Sequence, residues 1–361
     1  MMQMIGYEFG KIFRKKMVYA ALLFVGFMSL SMYIARGIGQ EVVLGPDGKY
    51  ILGKEAVRLD KEIAARYKGP LTEEKVEEIL GVYAPAAPDA AFWKVNATYD
   101  VVSTFWAEND GSRNGLSIRE AFPGYEDERE LVWDYNRGWI NFIEMGMYMM
   151  VFIGCLLVIA LSPVFSEEYT RGTDALILAS RHGKGRCARA KLLASYLFTL
   201  LSTGALLIPM SLGFFLDYGP AGGGCSIQLN NHWILLGTPY FLSCMEAAGL
   251  CLLLWVSGSL ILTAVTLTIS ALCKTSFLAV IVSLCVYGLP SLFAQMGMPP
   301  KLFSLNPIWC FLAEQPIMIP KIWTESGAGL SYVWVIVVFA LLMTGLSFRL
   351  GRRIFAGHQV V

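Results

Sequence analysis

The sequence predicts an all-α polytopic membrane protein with six transmembrane helices and a mostly helical domain inserted after the first. Three observations predict it. Hydrophobic residues make up 55% of the chain and charged residues 16%, with a mean hydropathy of +0.53, whereas soluble domains carry about 25% charged residues. Six runs reach the roughly 20 apolar residues that a bilayer-crossing helix needs. The charge is also gathered in one place, since 36–137 holds 13 of the 29 basic and 19 of the 28 acidic residues. A net charge of +1 makes no case for nucleic acid, which needs a basic surface.

In chain order, the first unit is 1–35. Ile5, Phe9, Ile12 and Phe13 recur at helical spacing, away from Glu8, Lys11 and Lys15. This pattern suits an amphipathic helix in the inner headgroup layer, or equally a basic flank that orients the first span. Met17 to Ala35 is uncharged. Ser29-Leu30-Ser31 is similar to a cleavage site, but the apolar run exceeds that of a secretory signal and five spans follow, so it is read as a retained span.

The inserted domain, 36–138, is expected outside. Val42–Leu44 and Tyr50–Leu52 flank Pro46-Asp47-Gly48, a hairpin signal. Lys54 to Tyr67 reads as a helix. Thr72 caps another, with Glu73 and Glu74 in its first turn and Leu71 and Val76 placed to staple it. Asp89 to Glu108 reads as a helix with one aromatic face, from Phe92 and Trp93 to Phe105 and Trp106. Gly48 to Glu55 fits G-x-x-x-x-G-K, but Glu55 stands where a phosphate loop needs Ser or Thr. Asn96-Ala97-Thr98 is a glycosylation triplet in a host that glycosylates.

The third unit, 139–361, carries the other spans: Trp139–Pro163, Leu192–Leu216, Ala247–Cys273, Thr275–Met298 and Ser326–Phe348. Glu144 and Glu246 fall near span ends and no ionisable residue falls at mid-depth, which speaks against an ion-coupled carrier. Segments 218–245 and 299–323 contain apolar stretches too short or too proline-rich to span, and read as interfacial or re-entrant outer pieces. Lys11, Arg14, Lys15 and Lys16 precede the first span and Arg349, Arg352 and Arg353 follow the last. The positive-inside rule therefore puts both termini in the cytoplasm. Cys225, Cys244 and Cys310 fall on the outer side, where one bridge among them is open. His182, His232 and His358 lie in three separate regions and suggest neither a metal site nor a catalytic dyad.

The segment 164–191 holds six Lys or Arg between two greasy runs, so it must lie outside the bilayer. Ser162-Pro163 reads as a cap, Glu167 and Arg171 are four apart, and Gly183 can end the helix. A braced cytoplasmic helix from about Pro163 to Ser180, with Tyr169 and Leu176 exposed, suits docking to a cytoplasmic partner.

The run Phe165, Glu167, Glu168, Tyr169, Arg171, Gly172, Thr173, Leu176, Leu178 and Lys191 resembles the intracellular coupling region of type 2 ABC exporter permeases. The six-span layout and the N-terminal Glu8, Lys11, Arg14, Lys15 pattern are similar too. The large outer domain departs from the compact members and resembles subgroups proposed for peptide or antibiotic export. The resemblance implies a permease subunit of an exporter, paired with a second copy or a related permease in the plasma membrane of a bacterium. It also implies two separate cytoplasmic ATPase subunits that hold ATP and magnesium, this chain binding no cofactor and hydrolysing nothing itself. The substrate could be a peptide, an antibiotic or a lipid-like molecule. The other reading is a non-transporting membrane sensor or scaffold whose outer domain binds a ligand.

Overall fold

The computed structural model describes residues 1–45, 47–86, 95–108, 110–122, 128–180, 183–297, 304–319 and 331–357. The described chain is mostly helical and contains six helices long and apolar enough to cross a membrane. These are α2 (Lys16–Arg36), α6 (Arg137–Leu161), α9 (Ala188–Tyr218), α10 (Cys244–Leu272), α11 (Ser276–Gln295) and α14 (Ser331–Gly357). The sixth runs past Arg349, Arg352 and Arg353 to Gly357, whereas the sequence suggests an end at Phe348; its expected start at 326–330 lies outside the described residues.

Two helices form the middle of the bundle. The apolar windows of α6 and α10 are 72% and 67% buried, against 11%, 17% and 22% for α2, α11 and α14. Glycines let α6 and α10 approach other elements closely. A Cβ at Gly146 would collide with the Trp255 indole, and one at Gly258 would sit 2.8 Å from Cys310. Without a hydrophobic drive between helices in lipid, small residues and buried polar pairs hold such bundles. Thr199 meets Thr263 at 2.7 Å, Tyr196 meets Ser347 at 2.7 Å, and the Tyr287 hydroxyl donates to the Val151 carbonyl at 3.0 Å.

The insert between α2 and α6 is a small helical layer. Strands β1 (Val42–Leu44) and β2 (Tyr50–Leu52) pair antiparallel with Val43 opposite Ile51, as the turn residues predict. Helix α3 (Gly53–Tyr67) follows at once. The residues that fit a phosphate-loop pattern are thus divided among a hairpin turn, β2 and the first turn of α3, and form no cradle. Helix α4 (Glu73–Tyr83) is capped by the Thr72 hydroxyl, which accepts from the Lys75 amide, and Leu71 and Val76 are both buried. Strands β3 (Gly69–Pro70) and β4 (Val132–Trp133) pair antiparallel. The aromatic helix is shorter than its pattern suggests. As α5 it spans Ala97–Trp106, because Asn96 takes an extended conformation and its side chain accepts from the Tyr99 amide. Phe92 and Trp93 lie outside the described residues. Phe105, Trp106 and Phe122 pack ring to ring.

The segment 219–243 forms no helix. It is held to the insert and to the start of α6: Ser226 exchanges backbone and side-chain hydrogen bonds with Val132, and Asn136 donates to the Leu229 carbonyl. Cys225 and Cys244 are free thiols that both contact the Asn136 amide, while Cys310 lies apart against Gly258. In the segment after α11, helices α12 (Pro307–Leu312) and α13 (Glu314–Met318) pack among the spans. Phe311 is fully buried, packs against Gly258 midway along α10, and its carbonyl accepts from the Trp255 indole at 2.8 Å.

Helix α1 (Met2–Phe13) precedes the first span. Ile12 is buried, and Phe9 and Phe13 stack toward Phe198 of α9, at 5.0 Å and 5.1 Å between successive rings. Its apolar face therefore packs on protein. The far end of α14 reaches the same region, where Phe355 meets Phe165 at 5.5 Å. Helix α1 and the last turns of α14 thus lie at one end of the bundle, opposite the insert.

Candidate functional site

The stretch singled out in the sequence sits at the end of the bundle that carries α1 and the last turns of α14. It is built differently from the single braced helix expected. Ser162 keeps helical angles and forms no side-chain cap, so α6 runs on into α7 (Pro163–Thr170) as one helix from Arg137 to Thr170. The break comes at Arg171-Gly172-Thr173 rather than at Gly183. Gly172 takes φ of +65°, and the amides of Gly172 and Thr173 turn back to the carbonyls of Tyr169 and Glu168. A left-handed residue at this place ends a helix, and glycine adopts it without a Cβ clash. The short helix α8 (Asp174–Ala179) then reverses the chain. Arg181 and His182 lie outside the described residues, as does the Leu178 side chain. A π-helical turn over Gly183–Cys187 leads into α9.

Glu168 is the node of this region. The sequence put it on the partner contact, but its carboxylate is buried. It accepts from Lys11 at 2.5 Å, from Lys191 at 2.8 Å and from the Thr173 hydroxyl at 2.6 Å. Lys191 is 1% exposed and also reaches Glu8 at 3.0 Å and the Val164 carbonyl at 3.3 Å. Glu167, one residue back, pairs with Lys15 at 2.6 Å and with Arg171 at 2.6 Å. Burial pushes the Lys15 ammonium below its usual range, against the pull of Glu167. The two acids of α7 thus interlock with Lys11 of α1 and with Lys15 just beyond it, while Glu8 of α1 pairs with Lys191 of α9.

The rest of α7 is clamped by three more contacts. The amide of Phe165 donates to Ser270 at 2.9 Å and the Tyr169 hydroxyl donates to the Ala271 carbonyl at 3.3 Å, both on α10. The Tyr169 ring stacks on Phe355 of α14 at 6.1 Å. Tyr169 is therefore half-buried, not exposed as its position on the pattern suggests. What faces outward is the tip: Arg171, whose side chain is 66% exposed, Gly172, and Leu176 at 76%. Beside the tip a cavity of about 610 Å³ opens between α1 and α8, lined by Met4, Tyr7, Lys11, Arg171, Thr173 and Ile177. Of the nine residues predicted from sequence, Phe165, Glu168 and Lys191 form the buried base, Glu167, Tyr169 and Thr173 form its rim, and Arg171, Gly172 and Leu176 form the tip.

A second ionic node, at the insert end, escaped sequence reading. Glu144, placed by the sequence near a span end where a long side chain could reach water, is buried. It accepts from Arg36 at 3.0 Å and from His232 Nδ1 at 2.6 Å. Arg137, also buried, donates to Glu41 at 3.0 Å and to His232 Nε2. Tyr218 donates to Glu41 at 3.0 Å. His232 accepts at one ring nitrogen and donates at the other, so it is neutral. Burial pushes it down to about 4, with Glu144 opposing and Arg137 adding to the fall. The partners are separated by 88 to 177 positions in the chain, and only the isolated charges at helix ends hinted at them.

Among the described residues, no group of three or more His, Cys, Asp and Glu could hold a metal ion. No protein-family model matches the chain, and no curated protein matches it.

Proposed function

We propose that this chain is the permease subunit of an ATP-driven exporter, working as a pair and moved by separate cytoplasmic ATPase subunits. One observation supports this reading above the others. The exposed tip at Arg171 to Leu176 stands on α7, and α7 is hydrogen-bonded, ion-paired or packed against α1, α9, α10 and α14. A push on the tip cannot be absorbed locally, because packed interfaces shift between discrete arrangements rather than deform smoothly. A partner that grips the tip therefore moves most of the bundle. The roles divide accordingly. Arg171, Gly172, Thr173 and Leu176 meet the ATPase, Glu167 and Tyr169 steady the tip, and Phe165, Glu168 and Lys191 carry the displacement into the spans.

On this reading ATP binding closes the two ATPase subunits, which draws the paired tips together and turns the substrate path from one side to the other. Both termini and the tip face the cytoplasm, and the 36–138 domain faces outward in a bacterial plasma membrane. The test uses the chain purified from its native membrane with any ATPase that it retains and reconstituted in vesicles. Arg171→Glu and Leu176→Ala should lower the coupling of hydrolysis to transport while melting and membrane insertion stay unchanged. Wild-type transport by both variants would refute the assignment.

A further inference from the structure

A second cavity, of about 670 Å³, opens at the insert end between α3 and the last turn of α9. Its upper wall carries Lys54, Arg58 and Lys61, spaced i, i+4, i+7 and so on one face of α3. Its floor includes Leu216, which is 85% exposed. Among the described residues Lys54 and Lys61 form no ion pair; Lys61 lies over the Tyr135 ring at 5.8 Å, and Arg58 meets Glu62 at 3.1 Å. The other acid on the wall, Asp217, is engaged by the Tyr33 hydroxyl at 2.7 Å. Leu216 is also the last member of an exposed apolar row that includes Leu197, Leu201, Ile208 and Leu212 along α9. Beside it α2 exposes Leu23, Phe27, Leu30 and Ile34 at helical spacing. Two lipid-facing helices thus lead up to a cavity rimmed by three cations.

We propose that this cavity binds the phosphate headgroup of an anionic phospholipid whose acyl chains lie along the exposed rows of α2 and α9. The chemistry at each end matches. Guanidinium and ammonium donors suit phosphate oxygens, and basic residues at a membrane surface draw anionic lipid. Among the described residues nothing covers the apolar row below them, and a bilayer supplies acyl chains there. A lipid held in this way would link the insert to the first and third spans, since α3, α2 and α9 all border it.

The test is lipid retention by the full chain, measured by native mass spectrometry after extraction from nanodiscs of phosphatidylcholine with or without phosphatidylglycerol. The wild type should retain phosphatidylglycerol in preference. The triple variant Lys54→Ala, Arg58→Ala, Lys61→Ala should lose that preference by roughly 100-fold, on the usual worth of basic groups at charged lipid surfaces. Leu216→Gln changes no charge and should also lower retention, because it wets the path of the tail. Inorganic phosphate added to the phosphatidylcholine nanodiscs should not raise the melting temperature. A triple variant that melts like wild type and keeps its preference would overturn the proposal, and so would full retention by Leu216→Gln. Stabilisation by phosphate alone would assign the cavity to a soluble anion instead.

Discussion

Truncating Glu168 to alanine tests the buried node directly. The substitution leaves Lys191, 1% exposed, with Glu8 at 3.0 Å and the Val164 carbonyl at 3.3 Å as its remaining partners. Lys11 and the Thr173 hydroxyl each lose an acceptor. Removing one side of a buried ion pair costs about 3–5 kcal/mol because the other charge stays desolvated. Glu8 persists, so the lower end, about 3 kcal/mol, is expected. Lys191→Met removes the buried cation while filling its space and leaves Glu168 with Lys11, so its cost should be smaller. The double variant should then lose less than the sum of the two, by about 1–3 kcal/mol of coupling. The assay is unfolding of the purified protein in mixed micelles by added SDS, followed by tryptophan fluorescence. Unfolding of Glu168→Ala at the wild-type detergent fraction, or strict additivity in the double variant, would refute the reasoning.

Asp60 is buried beside the Ala97 amide at 2.8 Å, and burial pushes its carboxyl from 3.8 up to about 7, against that hydrogen bond and helped by Asp100. A folded state that holds the proton more tightly has a stability contribution that is complete below pH 4 and is lost as pH rises through 7. Asp60→Asn should therefore melt higher than wild type at pH 8 and gain nothing at pH 4. Gly172→Ala forces a Cβ into a left-handed backbone at φ +65° and should cost about 1–2 kcal/mol, whereas Gly172→Asn should cost less; melting of the two variants side by side checks it. Asn96 is 1% exposed and caps α5, so the chain should gain no glycan there even in a glycosylating host, as intact mass will read. Asn96→Ala should cost about 1 kcal/mol.

The spans were legible because lipid imposes a simple rule: about 20 apolar residues, and charge only where water or a partner receives it. The hairpin at Asp47-Gly48 and the Thr72 cap were legible for a similar reason, since each depends on neighbours in the chain. The start of α5 was misjudged because an aromatic pattern continues upstream of Ala97, while the helix obeys the Asn96 cap. The break after α7 was misjudged because Ser162-Pro163 has the composition of a helix start, yet a proline at the first turn of α7 does not stop α6 from running on. The stop lies at Gly172, whose left-handed angle leaves no compositional trace beyond the glycine itself. Least legible were the ionic nodes. Glu168 and Lys191 are 23 positions apart, Lys11 and Glu168 are 157 apart, and His232 and Glu144 are 88 apart. Such pairs are set by how the spans pack, and a single sequence records only their charges. For the same reason Glu168 passed for a surface group when it is the anchor beneath one.

The most direct measurement of the proposed mechanism is a cross-link from the tip. A chain carrying Leu176→Cys, expressed in its native host and treated in intact membranes with a short thiol-to-amine reagent, should become joined to an ATPase subunit, identified by mass spectrometry, and ATP should change the yield. Labelling of that cysteine by an impermeant reagent added outside whole cells, or a purified complex that transports with no ATPase attached, would contradict the assignment.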